Sequence, residues 1–252
     1  MEKGQQKVIN NNSKINQIDI NKEMSLRVKE KTAMVTEIIL NATNTYKKII
    51  FANSLGAEDM VLHHIINDNK FNISIITLDT GRLHNETYEL HSTANKLYEN
   101  KIISIFPEKK LVEDYVNSKG INDFYNSLES RKECCRIRKI EPLKEVLSKA
   151  DAWITGLRSD QSITRKENKI IEKDLNFGLD KISPLLDWSE NEIWSFIKIN
   201  NIPYNKLHDQ FYPSIGCAPC TRAISIGEDI RSGRWWWENP QHKECGLHNK
   251  EN

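Results

Sequence analysis

An alternation of short apolar runs with helix-period segments constrains this chain most. Residues 22–45 carry apolar positions at helical spacing (Met24, Leu26, Val28, Met34, Val35, Ile38, Ile39) with few breakers. The run "KKIIFANS" follows and ends in the loop "SLGAED", after which a second helix pattern appears (Met60, Val61, Leu62, Ile65, Ile66). "ISIITLDTG" reads as a strand entering a glycine turn, "NETYELHSTANKLYEN" as a helix, and "KIISIF" as the next strand. "KKLVEDYVNSKG" is helical and ends at Gly120; "RIRKIEPLKEVLSK" is helical with Pro142 as an interruption; "AWITGL" is a further strand. Strands apolar on both faces, alternating with helices, predict an α/β fold: a parallel sheet covered by helices on both faces.

In such folds ligands bind beyond the carboxyl ends of the strands. The loops there are "NSLGAED", "LDTGR" and "GLRSDQSITR", all rich in glycine, charge and hydroxyl groups. After residue 165 the texture changes. "KIIEKDLNFGLDKISPLLDW" predicts a hairpin or irregular segment, and "SENEIWSFIKINN" predicts a helix opened by a capping box of Ser189 and Glu192. Beyond Ile202 the chain is mostly loop, and a loop-rich end of this length needs something to hold it, such as a metal site.

The ends and the composition narrow the setting. Residues 1–21 are rich in Asn, Gln and Lys and predict a disordered arm, leaving 22–252 as a single domain with a tail from about 238. With 36 Lys plus Arg against 35 Asp plus Glu, the net charge of +1 argues against a nucleic-acid or membrane surface. No apolar run is long enough to span a bilayer and the N-terminus lacks a secretory apolar stretch, so the expected location is cytoplasmic. Five cysteines in a reducing compartment are poor material for disulfides.

Their spacing matters more. Cys134 and Cys135 are adjacent, Cys217 and Cys220 form a C-x-x-C knuckle, and Cys245 stands alone near the end. Soft thiolate ligands suit zinc or iron–sulfur centres. Neighbouring side chains on a helix diverge by roughly 100°, which a single tetrahedral ion accepts badly. An iron–sulfur cube offers separate iron corners and accepts it more easily. Zn(Cys)₄ is the competing reading. Cys245 has Lys243, His242 and His248 nearby, which favour a thiolate, and Glu244, which opposes it. On charge alone a free surface thiol and a reactive one are equally supported.

Anion-binding candidates follow. "ANSLGAEDMVL" opens a helix after a strand, where free N–H groups favour a phosphate, although ordinary βα turns share that pattern. Asp79 or the turn around it could face a base or ribose, and Arg82 could meet a phosphate or merely cap a local acid. Arg136, Arg138 and Lys139 follow Cys135 directly; Arg158 and Arg165 flank "SDQSIT"; Arg231 and Arg234 lie in "GEDIRSGRWWWE". Guanidinium forks match phosphate and sulfate oxygens. On an unbroken α-helix Lys139 would share the face of Cys135, four residues earlier. The run Trp235–Trp237 reads as packing of the chain's end onto its body.

With these residues assembled, the chain resembles the assimilatory sulfonucleotide reductases, specifically the bacterial adenylyl-sulfate (APS) reductases that carry an iron–sulfur cluster. The resemblance rests on "SLGAED", "LDTGRLHNETY", "CCRIRK", "GLRSDQS", "LHDQFYPSIGCAPCTRA", "GRWWWE" and "KECGLH", in that order, from about residue 50 to 248. It implies an adenine nucleotide alpha hydrolase-like fold related to ATP pyrophosphatases, a 4Fe-4S cluster on Cys134, Cys135, Cys217 and Cys220, and Cys245 as the nucleophile on a mobile tail. It implies APS as substrate, AMP and sulfite as products, and thioredoxin or glutaredoxin as reductant; association of copies is left open. Ser54, Gly56, Ala57, Glu58 and Asp59, with Leu78, Asp79, Thr80, Gly81 and Arg82, would hold the adenosine part. Lys139, Arg165, Arg231 and Arg234 would screen the sulfate, with Arg138, Gly156, Arg158 and His248 at matching motif positions. "QSITR" is shorter than the family's pattern, so Arg158 and Arg165 both stay candidates. A 3′-phosphoadenylyl-sulfate (PAPS) reductase typically lacks the four cluster cysteines. A tRNA-thiolating pyrophosphatase would need an SGGxDS-like loop, and an iron–sulfur sensor would need no nucleotide loops.

Overall fold

The computed structural model describes residues 13–161 and 168–239. The chain runs α1 (Lys22–Thr45), β1 (Ile49–Ala52), α2 (Ala57–Asp68), β2 (Ser74–Leu78), α3 (Asn85–Leu97), β3 (Ile102–Ile105), α4 (Lys109–Lys119), α5 (Leu128–Cys135), α6 (Glu141–Leu147), β4 (Ala152–Ile154), β5 (Ile171–Asp174), β6 (Leu179–Ile182) and α7 (Glu190–Ile199). The six strands form one sheet in the order β3-β2-β1-β4-β6-β5. All pairs are parallel except β5–β6, an antiparallel hairpin within "KIIEKDLNFGLDKISPLLDW", the stretch expected to be a hairpin or an irregular segment.

Strand periodicity sorts the core into two layers. Phe51 pairs with Ile75 on one side and Ile154 on the other, and all three pack with Val35, Ile39, Leu62, Ile66, Ile193 and Ile197 of α1, α2 and α7. Their neighbours Ile50, Ile76 and Trp153 point the opposite way and pack on Leu143 and Leu147 of α6. That is why the runs are apolar at successive positions. The capping box at Ser189 and Glu192 is formed, and Glu192, almost wholly buried, also takes ion pairs from Arg27 and Lys31 of α1.

Two expectations need correction. Residues 13–21 are packed rather than loose: Lys14–Gln17 make a 3₁₀ turn, Ile15 and Ile18 pack on the core, Lys14 N donates to Asp209 (2.6 Å), and Lys198 donates to the Ile18 carbonyl (2.7 Å). Composition undervalues them because two isoleucines and one lysine do the anchoring. Pro142 lies in the first turn of α6, but Ile140 before it is itself helical, so its missing N–H falls inside a continuous helix and the expected interruption is displaced toward the N-terminus. The break comes earlier, as a π-helical turn over Arg136–Ile140 that joins α5 to α6. Among the described residues, no helix is long and apolar enough to cross a membrane.

Candidate functional site

The strand order reverses between β1 and β4, and the crevice beyond their carboxyl ends holds a cavity of about 690 Å³. Its walls are the β1–α2 turn, the β2–α3 turn, the segment after β4, and parts of 208–234.

The β1–α2 turn is shaped by its own side chains. Asn53 Oδ1 accepts from Leu55 N (2.7 Å), holding Leu55 in the left-handed region (φ 63°), where a leucine is strained. Asp59 then bridges two loops. Its carboxylate accepts from Ser54 N (2.7 Å) and Ser54 Oγ (2.6 Å), and across the crevice from Gly156 N (3.0 Å). Burial pushes its carboxyl up to about 6, against the opposing pull of the Ser54 donors. Only glycine fits at 156, because a Cβ there would stand 2.3 Å from Asp59 Oδ1. Gly156→Ala should therefore cost about 1–3 kcal/mol from overpacking and lower AMP affinity, with melting temperature and AMP titration as the measurements. An unchanged melting temperature and affinity would show that the loops tolerate separation.

Most of the other nominated residues line one of two hollows. Ser54, Gly56, Ala57, Glu58, Asp59, Leu78, Thr80, Lys139, Gly156, Arg158, Arg231 and Arg234 line the cavity. Arg158 is held by Glu58 (2.8 Å) and reaches the Trp188 carbonyl (3.4 Å). Asp79, Gly81, Arg82 and Arg138 are outside its walls. Asp79 accepts from Gly81 N and Tyr88 OH (both 2.8 Å) and so sets the turn at Gly81 (φ 71°). Arg82 and Arg138 instead line a second hollow together with Cys134, Cys135, Cys217 and Cys220. Arg82 is held by the Ile121 carbonyl (2.6 Å) and Asn122 (2.9 Å), and buried Arg138 donates to the Thr80 carbonyl (2.7 Å). Cys245, His248 and Arg165 lie outside the described residues.

Lys139, Cys217 and Arg234 line both hollows and so form the wall between them. The α-helical register between Cys135 and Lys139 does not hold, because the π turn widens the spiral. Lys139 still faces the cysteines, and it also faces the cavity. The Arg234 guanidinium packs so closely on Gly216 that a Cβ there would stand 2.5 Å from Nη2.

The four cysteines are free thiols. Burial pushes Cys134 up and Cys220 up to about 12, the latter helped by Cys217. Burial also raises Cys217, but Lys139, the Thr80 hydroxyl (3.3 Å from Sγ), Arg234 and Arg82 outweigh it and the net is downward. Among the described residues, no group of three or more His, Cys, Asp or Glu side chains is disposed to hold a metal ion. The donor set suits a cluster better than a single ion. Four sulfurs stand around one hollow, and Arg82, Arg131, Arg138, Lys139 and Arg234 line it with no carboxylate among them. Four thiolates on an iron–sulfur core make a net anion, and this lining complements it.

Several cavity residues carry no strong sequence signal. Thr155 follows the last residue of β4, and Trp194 and His208 face each other edge-on (5.1 Å). His208 is half-buried, desolvation lowers its basicity, and its Nε2 has no hydrogen-bond partner. Lys14 reaches the cavity wall from the segment taken for a loose arm, and pairs there with Glu190 (3.0 Å).

Sheet order, switch-point cavity and helix-opening turns match the adenine nucleotide alpha hydrolase-like fold. Solved structures agree on the fold. PAPS reductase from Candida auris, a phosphate complex, superposes with a TM-score of 0.65 at 22% identity, covering 82% of this chain and 99% of that one. Candida glabrata FMN adenylyltransferase, with FMN and the ATP analogue AMPCPP, gives 0.57 at 17% identity over 90% of this chain and 78% of its own. Residues 48–223 match the phosphoadenosine phosphosulfate reductase domain, and this chain belongs to that family. A relative from Allochromatium vinosum, named adenosine 5'-phosphosulfate reductase, is 52% identical over 87% of this chain and 86% of its own.

Proposed function

We propose that this chain reduces adenosine 5'-phosphosulfate to sulfite and AMP, with Cys245 as the nucleophile. The observation that carries this reading is the wall shared by the two hollows: a nucleotide-sized cavity whose cations Lys139 and Arg234 also face four cysteines. The 52% identical relative bears the same activity in its name. In the first step the Cys245 thiolate attacks the substrate sulfur. An Sγ–S bond forms, the S–O bond to phosphate breaks, and its electron pair leaves on AMP. Lys139, Arg231 and Arg234 reduce the repulsion between the sulfate oxygens and the incoming thiolate. In the second step a thiolate of thioredoxin or glutaredoxin attacks Cys245 Sγ. Sulfite departs with the electron pair of the Sγ–S bond, and the mixed disulfide is resolved by the reductant's second thiol.

Cys134, Cys135, Cys217 and Cys220 would hold a 4Fe-4S cluster, which when bound supplies fixed charge beside the cavity and ties α5 to the C-x-x-C knuckle. The setting we infer is cytoplasmic, where thiols stay reduced. The unit is read as a single reductase domain with its tail from about 238. The test is anaerobic sulfite release from APS against PAPS with thioredoxin. Faster release from PAPS would move the chain to the PAPS branch, and no release from either would reject the reading.

Lys139 gives a quantitative consequence. Losing one charge-assisted contact costs about 1.5–3 kcal/mol, roughly a 10- to 150-fold effect. Lys139→Ala should lower turnover and APS affinity by that range while iron content holds. Wild-type sulfite production by the variant would remove Lys139 from the site.

A further inference from the structure

The segment that leads into the tail is bound to both cysteine pairs. On one side it is zipped to the C-x-x-C knuckle: Thr221 and Arg234 form an antiparallel bridge, Arg222 N donates to the Gly233 carbonyl (3.0 Å), and Trp235 N donates to the Cys220 carbonyl (3.1 Å). On the other side it is pinned to α5, the helix that ends in Cys134 and Cys135. Arg131 of α5 grips Glu238 with two bonds, Nε to Oε1 (2.9 Å) and Nη2 to Oε2 (2.8 Å). The same guanidinium lies over the Trp235 ring (4.5 Å to its centroid), and so does that of Arg234 (4.6 Å). The pair is buried, with side-chain exposures of 2% and 7%.

A buried ion pair is a weak source of net stability, so stability alone does not account for this one. A bidentate fork supplies direction as well as attraction. Arg131 also lines the cysteine hollow, one α-helical turn before Cys135. Glu238 is seven residues ahead of Cys245 in sequence, and seven residues of extended chain reach about 25 Å at most. The place where Glu238 is fixed therefore bounds where the Cys245 thiol can go.

We propose that the Arg131–Glu238 pair is a positioning device for the nucleophile: it mounts the root of the Cys245 tail on the two elements that carry the four cysteines. The pair touches neither substrate nor the reacting sulfur, and acts through the distance it sets. This also gives the cysteine frame a mechanical task, because loss of that frame would release the mount. The inference rests on the proposed function, and the experiment separates the two.

Anaerobic full-length protein is mixed with APS without reductant, and sulfonate on Cys245 is followed by intact mass in single turnover. Iron content and AMP affinity are measured on the same samples. If the wild-type protein acquires no sulfonate, the proposed function fails. Given a wild-type adduct, Glu238→Gln should keep iron and AMP affinity yet acquire it on the order of 10- to 100-fold more slowly, the usual consequence of misplacing a reacting group by about 1 Å. Arg131→Lys tests the other partner, and the double variant should be no slower than the slower single if the two act as a unit. Sulfonation of Glu238→Gln at the wild-type rate would overturn the proposal. So would effects that simply add, or a loss of iron that matches the loss of rate, since the pair would then only hold the cysteine frame.

Discussion

Replacing Cys245 by serine should abolish sulfite formation while iron content and AMP binding stay at wild-type levels. Cys245 is the one cysteine outside both pairs, and the other four all line one hollow. An alcohol at this position is a far weaker nucleophile than a thiolate, and no acyl-type activation is available for attack on sulfur. The wild-type protein with APS alone should gain the mass of one sulfonate, and the serine variant none. Peptide mapping should find the adduct on residue 245. An adduct on Cys134, Cys135, Cys217 or Cys220 would sink the assignment and turn the cysteine hollow into the reactive centre.

The sheet was legible in the sequence because its physics is local. β1, β2 and β4 are buried on both faces, so their apolar runs stand out, and each ends where glycine and hydroxyl residues begin. The hairpin β5–β6 and the capped helix α7 were legible for similar reasons: a glycine turn and a capping box act over four residues. α5 was not. "LESRKECC" shows no apolar stripe, and what it buries is Cys135 and Arg131, whose partner Glu238 lies 107 residues away. The π turn was equally silent, since nothing in "RIRKI" distinguishes it from an α-helical turn.

The site was legible by residue type but not by allocation. All three nominated loops contribute to the cavity, yet Arg82 and Arg138, which read as phosphate ligands, face the cysteines. That division depends on Asp79 turning the chain at Gly81, a local contact, and on Arg138 reaching the Thr80 carbonyl across 58 residues. Asp59 reads as a ligand contact; it lines the cavity and is also the buried brace that joins two loops, a role its motif does not reveal. Lys14 carries no motif, and His208 lies within "LHDQFYPSIGCAPCTRA" without being singled out there; the tertiary fold brings both to the cavity wall.

Serine in place of Cys217 should remove most of the iron. Anaerobic wild-type protein is expected to be brown, with about four irons and matching acid-labile sulfide per chain. Serine offers a hard oxygen where the cluster takes a soft sulfur. Cys217 is the most exacting of the four positions, because it alone among them also lines the cavity and has its thiol 3.3 Å from the Thr80 hydroxyl. Its neighbour is tied in as well: Ala218 N donates to the Arg82 carbonyl (2.8 Å), joining the knuckle to the β2–α3 turn. The loss should therefore spread. The chain from 205 to 239 contains only short 3₁₀ turns and one isolated bridge, so its order depends on tertiary anchors rather than on regular elements. Metal binding is coupled to folding, and removing the metal should raise hydrogen exchange there while β1, β2 and β4 keep their protection. Cys134→Ser and Cys135→Ser should lower iron too, and should loosen the Arg131–Glu238 contact from the α5 side. Stoichiometric zinc with no acid-labile sulfide in the wild-type protein would refute the cluster. It would leave a tetrahedral site that adjacent cysteines on one helix are poorly placed to complete.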